Sequence, residues 1–588
     1  MLRIALPAAL AAAGLLAALS CAHAAPSRSP ILLSPSHSAA VGDPAHPEGL
    51  AQAVQAAYDK GARQIVIRRG VYVMPDVGHT SLALKGWKDA ALSGAGVTLI
   101  LTDLAWMHDG IDLIGCTHVT LAGFLLSQNK VTFYQGRVVA VGSEAGKPYC
   151  DWRPDTGYPV PPADETVAKG FLGGNVNVVD AHTRLLKAGV GDHYNVKAEA
   201  QADGTFRARM GGGFGVGDWL VGRHGPAPFK VYLSNSRDCT VKNITLMRSG
   251  FAPLREDGGG GNHYLHCVWA LGPRPAGATE YPLVTNAADG MHMIGSFPGP
   301  DIENCVFQGV FLDDCIAIHG SLQTVQSVSG STLTLKGRAG QVRAGEPVRI
   351  SDSQGFFAEA MVASVKDNGS DTTLVTLDKD YGVPPSAKLS NPRADGMGYK
   401  IIGCRLGCTR SRGILAKADH GLIKNNILEN CGMSAVSLGP EYYWDEADYV
   451  QNITVEDNII RKNGGAGYGG AAILVHGDGA IGNRNIIIRG NRMASNDQGD
   501  MDLQWVDGVT LTGNTLTAPA RMPDGINPHS PLALANCRNI ALRGNVVQNA
   551  AGYKSELVAV GPDVTGLAHN DPSGIRAALP PAPLPPVK

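Results

Sequence analysis

The feature that most constrains this chain is a short apolar run that closes on Asn or Gly and keeps returning. It is seen in Ile453-Thr-Val-Glu-Asp-Asn, Ile486-Ile-Ile-Arg-Gly-Asn, Val509-Thr-Leu-Thr-Gly-Asn and Ile540-Ala-Leu-Arg-Gly-Asn. From Asn426 the turn Asn recurs at 458, 491, 514 and 545, in steps of 32, 33, 23 and 31 residues. Strand-turn units of this length, rich in β-branched residues and with no helices between them, stack as coils of a parallel β-helix. The Asn or Gly at each turn is expected to take the positive φ of the bend. A propeller would show blades of ~40 residues with hairpin signals. The fold class is therefore all-β: a right-handed parallel β-helix with two inserted small β-barrels and an N-terminal capping helix. Composition agrees, because 74 of the 588 residues are Gly and only 17% are charged, as in a turn-rich folded chain. Fifty Lys plus Arg against 52 Asp plus Glu leave a net charge of −2, which offers no footprint for nucleic acid or an anionic membrane.

Residues 1–24 carry Arg3, an apolar Ala/Leu run and Ala22-His23-Ala24, the pattern of a cleavable secretory signal. The run is short for a membrane span of ~20 residues. A secreted or periplasmic protein is expected, with lipidation at Cys21 as the alternative. Residues 25–128 hold the cap and first coils. Within them 47–60 place Leu50, Val54 and Tyr58 at helical spacing before Gly61, and read as the capping helix. Two stretches lack the Asn rhythm, 129–230 and 321–394. Both alternate strands around a Gly-acid dipeptide, Gly217-Asp and Gly345-Glu, and read as inserted antiparallel barrels. Coils occupy 231–320 and 395–570, and 571–588 is a Pro-rich tail. The ten cysteines beyond the signal mostly precede strands and read as small core residues. Cys404 and Cys408 form the one close pair, without further ligands at zinc spacing, so no metal or other cofactor is expected.

Four segments align by apolar alternation: Asp289-Gly-Met-His-Met-Ile, Asp314-Cys-Ile-Ala-Ile-His, Arg412-Gly-Ile-Leu-Ala-Lys and Ser434-Ala-Val-Ser-Leu-Gly. Met291, Ile316, Ile414 and Val436 fall in one inward column, and Met293, Ile318, Ala416 and Leu438 in the next. His292 and Ala317 then face outward, with His319 and Lys417 one step on. Asp289, Asp314 and Arg412 stack at one bend, where the turn redirects them from a core that would not tolerate unpaired charge. Coils ~4.8 Å apart bring the carboxylates into the ~5–9.5 Å range of paired glycosidase acids. Asp313 adds a third, and mutual repulsion is expected to keep at least one protonated. The candidate catalytic set is Asp289, Asp313 and Asp314, with His292, His319 and Arg412 beside it. The aromatic run ending at Trp444 offers a stacking face for a sugar.

These residues resemble a known family. Asn286-Ala-Ala-Asp289-Gly-Met-His292-Met, Leu312-Asp313-Asp314-Cys-Ile-Ala-Ile-His319-Gly320, Arg410-Ser-Arg412-Gly-Ile-Leu and Tyr443-Trp444-Asp-Glu446 are similar to the motif series of the family 110 glycoside hydrolases, exo-acting inverting α-1,3-galactosidases. A broader likeness to the family 28 polygalacturonase clan lies in the Asp plus Asp-Asp pattern one coil apart. The resemblance implies an enzyme acting on galactosyl glycans, with Asp313 and Asp314 catalytic, Asp289 and His292 lining the sugar site, and Glu446 in the substrate-binding set with Trp444. Where that family carries Asp-Asp-Ala-Ile-Asn-Val-His-Gly, this chain has Ala317 in place of the Asn. The alternatives are a family 28-like endo-hydrolase, a polysaccharide lyase using Arg412 or Lys417 as base, and a glycan-binding solenoid without turnover.

Overall fold

The computed structural model describes residues 38–569, apart from 104, 106–107, 161–175, 195, 225–227, 338–339, 370, 466–469, 518–529, 549–557 and 562, together with 575–578. The expected signal segment, Cys21 and residues 579–588 lie outside the described residues.

The chain winds as a right-handed parallel β-helix. One face stacks twelve short strands in parallel, from Leu82–Lys85 through Leu254–Asp257, Met291–Ile294, Ile316–Ser321, Ile414–Ala416 and Val436–Leu438 to Val558–Val560. The other two faces merge into one 27-stranded sheet, because the long strands Lys88–Leu101 and Thr117–Gln128 cross the bend and pair on both faces, whereas later coils break there. The register on the first face is the one read from apolar alternation. Met291 pairs with Ile316, Ile316 with Ile414 and Ile414 with Val436. All four side chains are fully buried, so the inward columns form a continuous apolar core.

The turn Asn residues behave differently from expectation. Positive φ is carried by the residue before each of them: Asn425, Asp457, Gly490, Gly513 and Gly544. Asn426, Asn458, Asn491, Asn514 and Asn545 instead point inward and are buried. The Oδ1 of each of the last four accepts from the preceding ladder residue's backbone N–H at 2.8–3.0 Å, as in Asn458 N to Asn491 Oδ1, and that of Asn426 from the Cys404 N–H at 2.8 Å. Each Nδ2 donates to a core carbonyl of the coil before, Asn491 to Val455 O at 2.9 Å. The bend exposes peptide groups to a dry interior, and an amide side chain with donors and acceptors on one planar end satisfies them. A φ-tolerant residue must then precede it.

The α-helix Leu50–Asp59 buries Leu50, Val54 and Ala57 over the first coil, and Tyr58 stacks on Trp87 with centroids 4.2 Å apart. A cavity of about 460 Å³ beneath it, lined by Ala53, Ala56, Ala57 and Lys60, lies several coils from the carboxylates. At the far end the strand Ile575–Ala578 pairs with Asn545–Gln548, so the coils run past the expected boundary at 570. All ten described cysteines are free thiols, nine of them buried.

The two inserts differ. The second closes into a six-stranded barrel, with strands Gln323–Ser329, Thr332–Lys336, Thr372–Leu377, Phe357–Gly369, Pro347–Ser351 and Lys388–Ser390 around Val348, Ile350, Val375 and Leu389. It is tied to the coils through buried Arg349, which donates to Asp419 Oδ2 at 2.5 Å and Asp448 Oδ2 at 3.2 Å. The first insert is not a closed barrel among the described residues, where its six antiparallel strands run from Asn177–Val179 to Lys197–Ala200 as an open sheet. Its Phe133, Val179, Trp219 and Val221 pack on Leu283, Val284, Val310 and Leu312 of the coils. A sheet whose apolar face is covered by the solenoid has no need to close on itself.

Asn491→Ala orphans the Asn458 N–H and the Val455 carbonyl in the core. It is expected to cost about 2–4 kcal/mol in a denaturation series, at ~1–3 kcal/mol per buried unsatisfied group. A loss below ~0.5 kcal/mol would show the amide ladder to be dispensable.

Candidate active site

The carboxylates gather where the chain enters the first face. Gly290 N–H donates to Asp314 O at 2.8 Å and Cys315 N–H to Arg412 O at 3.0 Å, so Asp289, Asp314 and Arg412 stack at one bend in three successive coils. Buried Asn286 shapes the first of these turns by donating its amide to the carbonyls of Ala288 and Asp289. Oxygens of Asp289, Asp313 and Asp314 come within 4.8 Å of one another. This is tighter than the spacing expected from the coil repeat, because Asp313 and Asp314 are consecutive and turn toward the same side.

Each carboxyl has its own surroundings. Asp314 accepts from the Arg412 backbone N–H at 2.7 Å, and the Arg412 guanidinium lies 3.6 Å away. Burial nonetheless dominates, and with Asp313 and Asp289 nearby it pushes Asp314 up to about 7. Burial, then the charges of Asp313 and Glu446, push Asp289 up to about 8, against the opposing influence of Arg223. Asp313 is the most open, its side chain 28% exposed, with Arg410 Nη2 donating to it at 3.3 Å.

A directed chain of hydrogen bonds leads away from Asp289. Its Oδ2 lies 2.9 Å from His292 Nδ1, His292 Nε2 lies 2.8 Å from His319 Nε2, and His319 Nδ1 lies 2.7 Å from the Gly320 carbonyl. A carbonyl only accepts, so His319 carries its proton on Nδ1. A neutral His319 then accepts at Nε2 from His292 Nε2–H, which leaves His292 Nδ1 a lone pair and asks Asp289 to supply the proton between them. Burial lowers both imidazoles to about 4, which agrees with neutral rings beside a neutral acid.

The expected substrate-binding residues occupy two zones. His292, His319, Arg412 and Glu446 are drawn into the cluster. Lys417, fully buried, donates to Glu446 Oε2 at 2.8 Å and pairs with Glu441 Oε2 at 2.9 Å, while Arg412 also binds Glu441. Burial acts to raise Glu446, but His319, then Lys417 through its charge and its hydrogen bond, hold it down at about 2. Trp444 stands apart on the short helix Tyr442–Trp444, 64% exposed, between the two glutamates in sequence. Five further residues complete the site without having been picked out: Arg410, Glu441, Arg223, Asp192 and Tyr194. Arg410 opens one of the motifs given above and Glu441 adjoins another, so both had a local signal. Arg223, Asp192 and Tyr194 come from the first insert, which carries none. Asp192 binds Arg410, and Arg223 Nε donates to Ala287 O at 2.8 Å beside Asp289.

No protein-family model matches the chain, and no curated protein matches its sequence. Among solved structures it is similar to the A-module of the mannuronan C-5 epimerase AlgE6 of Azotobacter vinelandii, at 12% identity and a TM-score of 0.35, over 91% of this chain and 96% of that one. It is similar also to a mutant tailspike protein of E. coli bacteriophage HK620 in complex with a pentasaccharide, at 12% identity and a TM-score of 0.38, over 90% and 71% of the two chains. A third similar structure is the catalytic domain of a GH87 alpha-1,3-glucanase in complex with tetrasaccharides, at 10% identity and a TM-score of 0.40, over 95% and 70%. The chemistry of this chain is therefore read from its own residues.

A carboxyl raised in the folded state stabilises the fold fully below about pH 4 and progressively less as pH climbs through its raised value. Asp289→Asn and Asp314→Asn keep the shape and remove the charge. Relative to the parent, each is expected to gain melting temperature as pH rises from about 5 to 8, by on the order of 2 °C at the upper end. An equal offset at both pH values would mean that neither carboxyl is raised.

Proposed function

We propose that the protein is a secreted or periplasmic glycoside hydrolase that removes terminal α-linked galactose from glycans by single displacement. The observation that carries this is three carboxyl groups within 4.8 Å of one another at one outward bend, two of them buried and the third held by Arg410. Glycoside hydrolysis needs an acid that gives its proton to the leaving oxygen and a carboxylate that takes one from water. Asp289 and Asp314 are the protonated groups. Asp313, most open and held by Arg410, is the third group, and the three divide the acid and base roles between them. His292 and His319 hold the Asp289 proton in place, and the Lys417, Glu441 and Glu446 ion pairs present fixed polar groups to sugar hydroxyls. The resemblance to the family 110 enzymes supplies galactose and exo action. The exposed Trp444 fits the apolar face of a pyranose.

The lyase reading needs a free base. Lys417 is buried between two glutamates and Arg412 is engaged by Glu441, so neither is placed to take a proton from substrate. Separation of the carboxylates does not select the stereochemistry. Nearest oxygens within 4.8 Å suit the ~5–5.5 Å pairs of retaining enzymes, but two carboxylates at one bend can also hold a single water for direct attack.

On an α-1,3-galactosyl oligosaccharide, the purified protein is expected to release galactose from the first time points, with β-galactose the first anomer seen by NMR. Early α-galactose would make one Asp a nucleophile and overturn single displacement. Early mid-sized oligomers would return the endo reading, and no turnover of any glycoside would leave a binder. Asp313→Asn is expected to lower kcat by ~100- to 10,000-fold with unchanged far-UV spectrum. Activity should fall above pH 7 to 8 as the acid ionises. Arg223, Arg410 and Arg412 already supply positive charge around the cluster, so activity is expected to survive EDTA; loss on chelation with recovery on calcium would favour a metal-dependent lyase.

A further inference from the structure

The first insert sends one exposed aromatic residue to the carboxylate coils. Tyr194 OH donates to Asp192 Oδ2 at 2.9 Å and lies 3.4 Å from Arg410 Nη1, whose other terminal nitrogen holds Asp313. The Asp192 carboxylate is fully buried and bonded to both Arg410 and the Asn177 amide, so the tyrosine's polar end is anchored on rigid partners. The residue is nevertheless 57% exposed. The hydroxyl is already engaged, and what Tyr194 offers a ligand is the flat face.

The opposite side of the cluster is built differently. Glu446–Ala447 pairs antiparallel with Gly320–Ser321, and the Tyr442 hydroxyl bonds to Ser351 of the barrel. That side is braced by the second insert and lined by Lys417, Glu441, Glu446 and His319. A terminal sugar needs many directional contacts to its hydroxyls and a wall beyond it. The rest of the glycan needs room to leave the site and a surface that grips a pyranose without demanding one hydroxyl pattern.

We propose that Tyr194 is the stacking platform for the sugar on the leaving-group side of the scissile bond, the terminal sugar lying toward Lys417, Glu446 and Trp444. This rests on the glycosidase reading above. It makes the first insert, not the catalytic coils, the part of the molecule that selects what the terminal sugar is attached to.

The test compares α-galactosyl fluoride, whose leaving group has no ring, with an α-1,3-galactosyl disaccharide. Tyr194→Ala is expected to raise KM for the disaccharide about tenfold, the size of one aromatic contact, with kcat little changed, and to leave the fluoride within about twofold. Tyr194→Phe keeps the ring and is expected to stay within about threefold of the parent on both. Equal losses on the two substrates, no loss on either, or a Phe variant as impaired as the Ala variant would each overturn the assignment. A parent protein that turns over neither substrate would sink the glycosidase reading and this inference with it. That result is distinct from a parent that hydrolyses both while Tyr194→Ala is indifferent.

Discussion

Stacking of one coil on the next at ~4.8 Å is the constraint from which the rest follows. It brings Asp289, Asp314 and Arg412, spread over more than a hundred residues of chain, into contact at a single bend. It also creates the main structural cost, since every bend turns peptide groups toward a core without water. The buried Asn426–458–491–514–545 ladder meets that cost by passing hydrogen bonds from coil to coil, each amide serving two neighbours at once. A solenoid held in this way is stiff along its axis, which is what a group of side chains needs if it is to be kept within a fraction of an ångström by residues from separate coils.

The three clustered carboxyls lie outside that core, yet they are not fully solvated. A bare β-helix would leave Asp289, Asp313 and Asp314 on an open flank with ordinary carboxyl behaviour. The two inserts change this. Arg223 and Asp192 arrive from the first, the barrel braces the Tyr442–Ala447 segment from the second, and Asp289 and Asp314 between them are buried enough for desolvation to outweigh the neighbouring arginines. Carboxyls raised in this way cost stability at neutral pH, and on the glycosidase reading they keep a proton available there.

The inserts also divide the labour between the ends of the site. On the glycosidase reading, fixed ion pairs about Lys417 define one end by directional contacts, and an anchored ring at Tyr194 defines the other by surface. A family built on the same coils can alter what it accepts by changing an insert while leaving the acids untouched, since function resides in the site and not in the fold.

The coil repeat, the capping helix and the register of the first face were legible because they rest on local patterns. Apolar residues alternate with period two along a strand, and Met291, Ile316, Ile414 and Val436 had to share a face whatever lay around them. The same alternation put His292 and His319 outside and the acids at the bend. Sequence mistook the ladder Asn for the positive-φ residue by one position, because both roles favour Asn and only the coil above decides which amide finds buried partners. It read the first insert as a closed barrel, because an apolar strand face looks the same whether it meets its own sheet or the flank of a solenoid. Arg223, Asp192 and Tyr194 were invisible for a related reason. Alternation and turn chemistry are written within a few residues, whereas burial, pKa and the walls of a site depend on which distant segments pack there, and that was decided only when the chain folded.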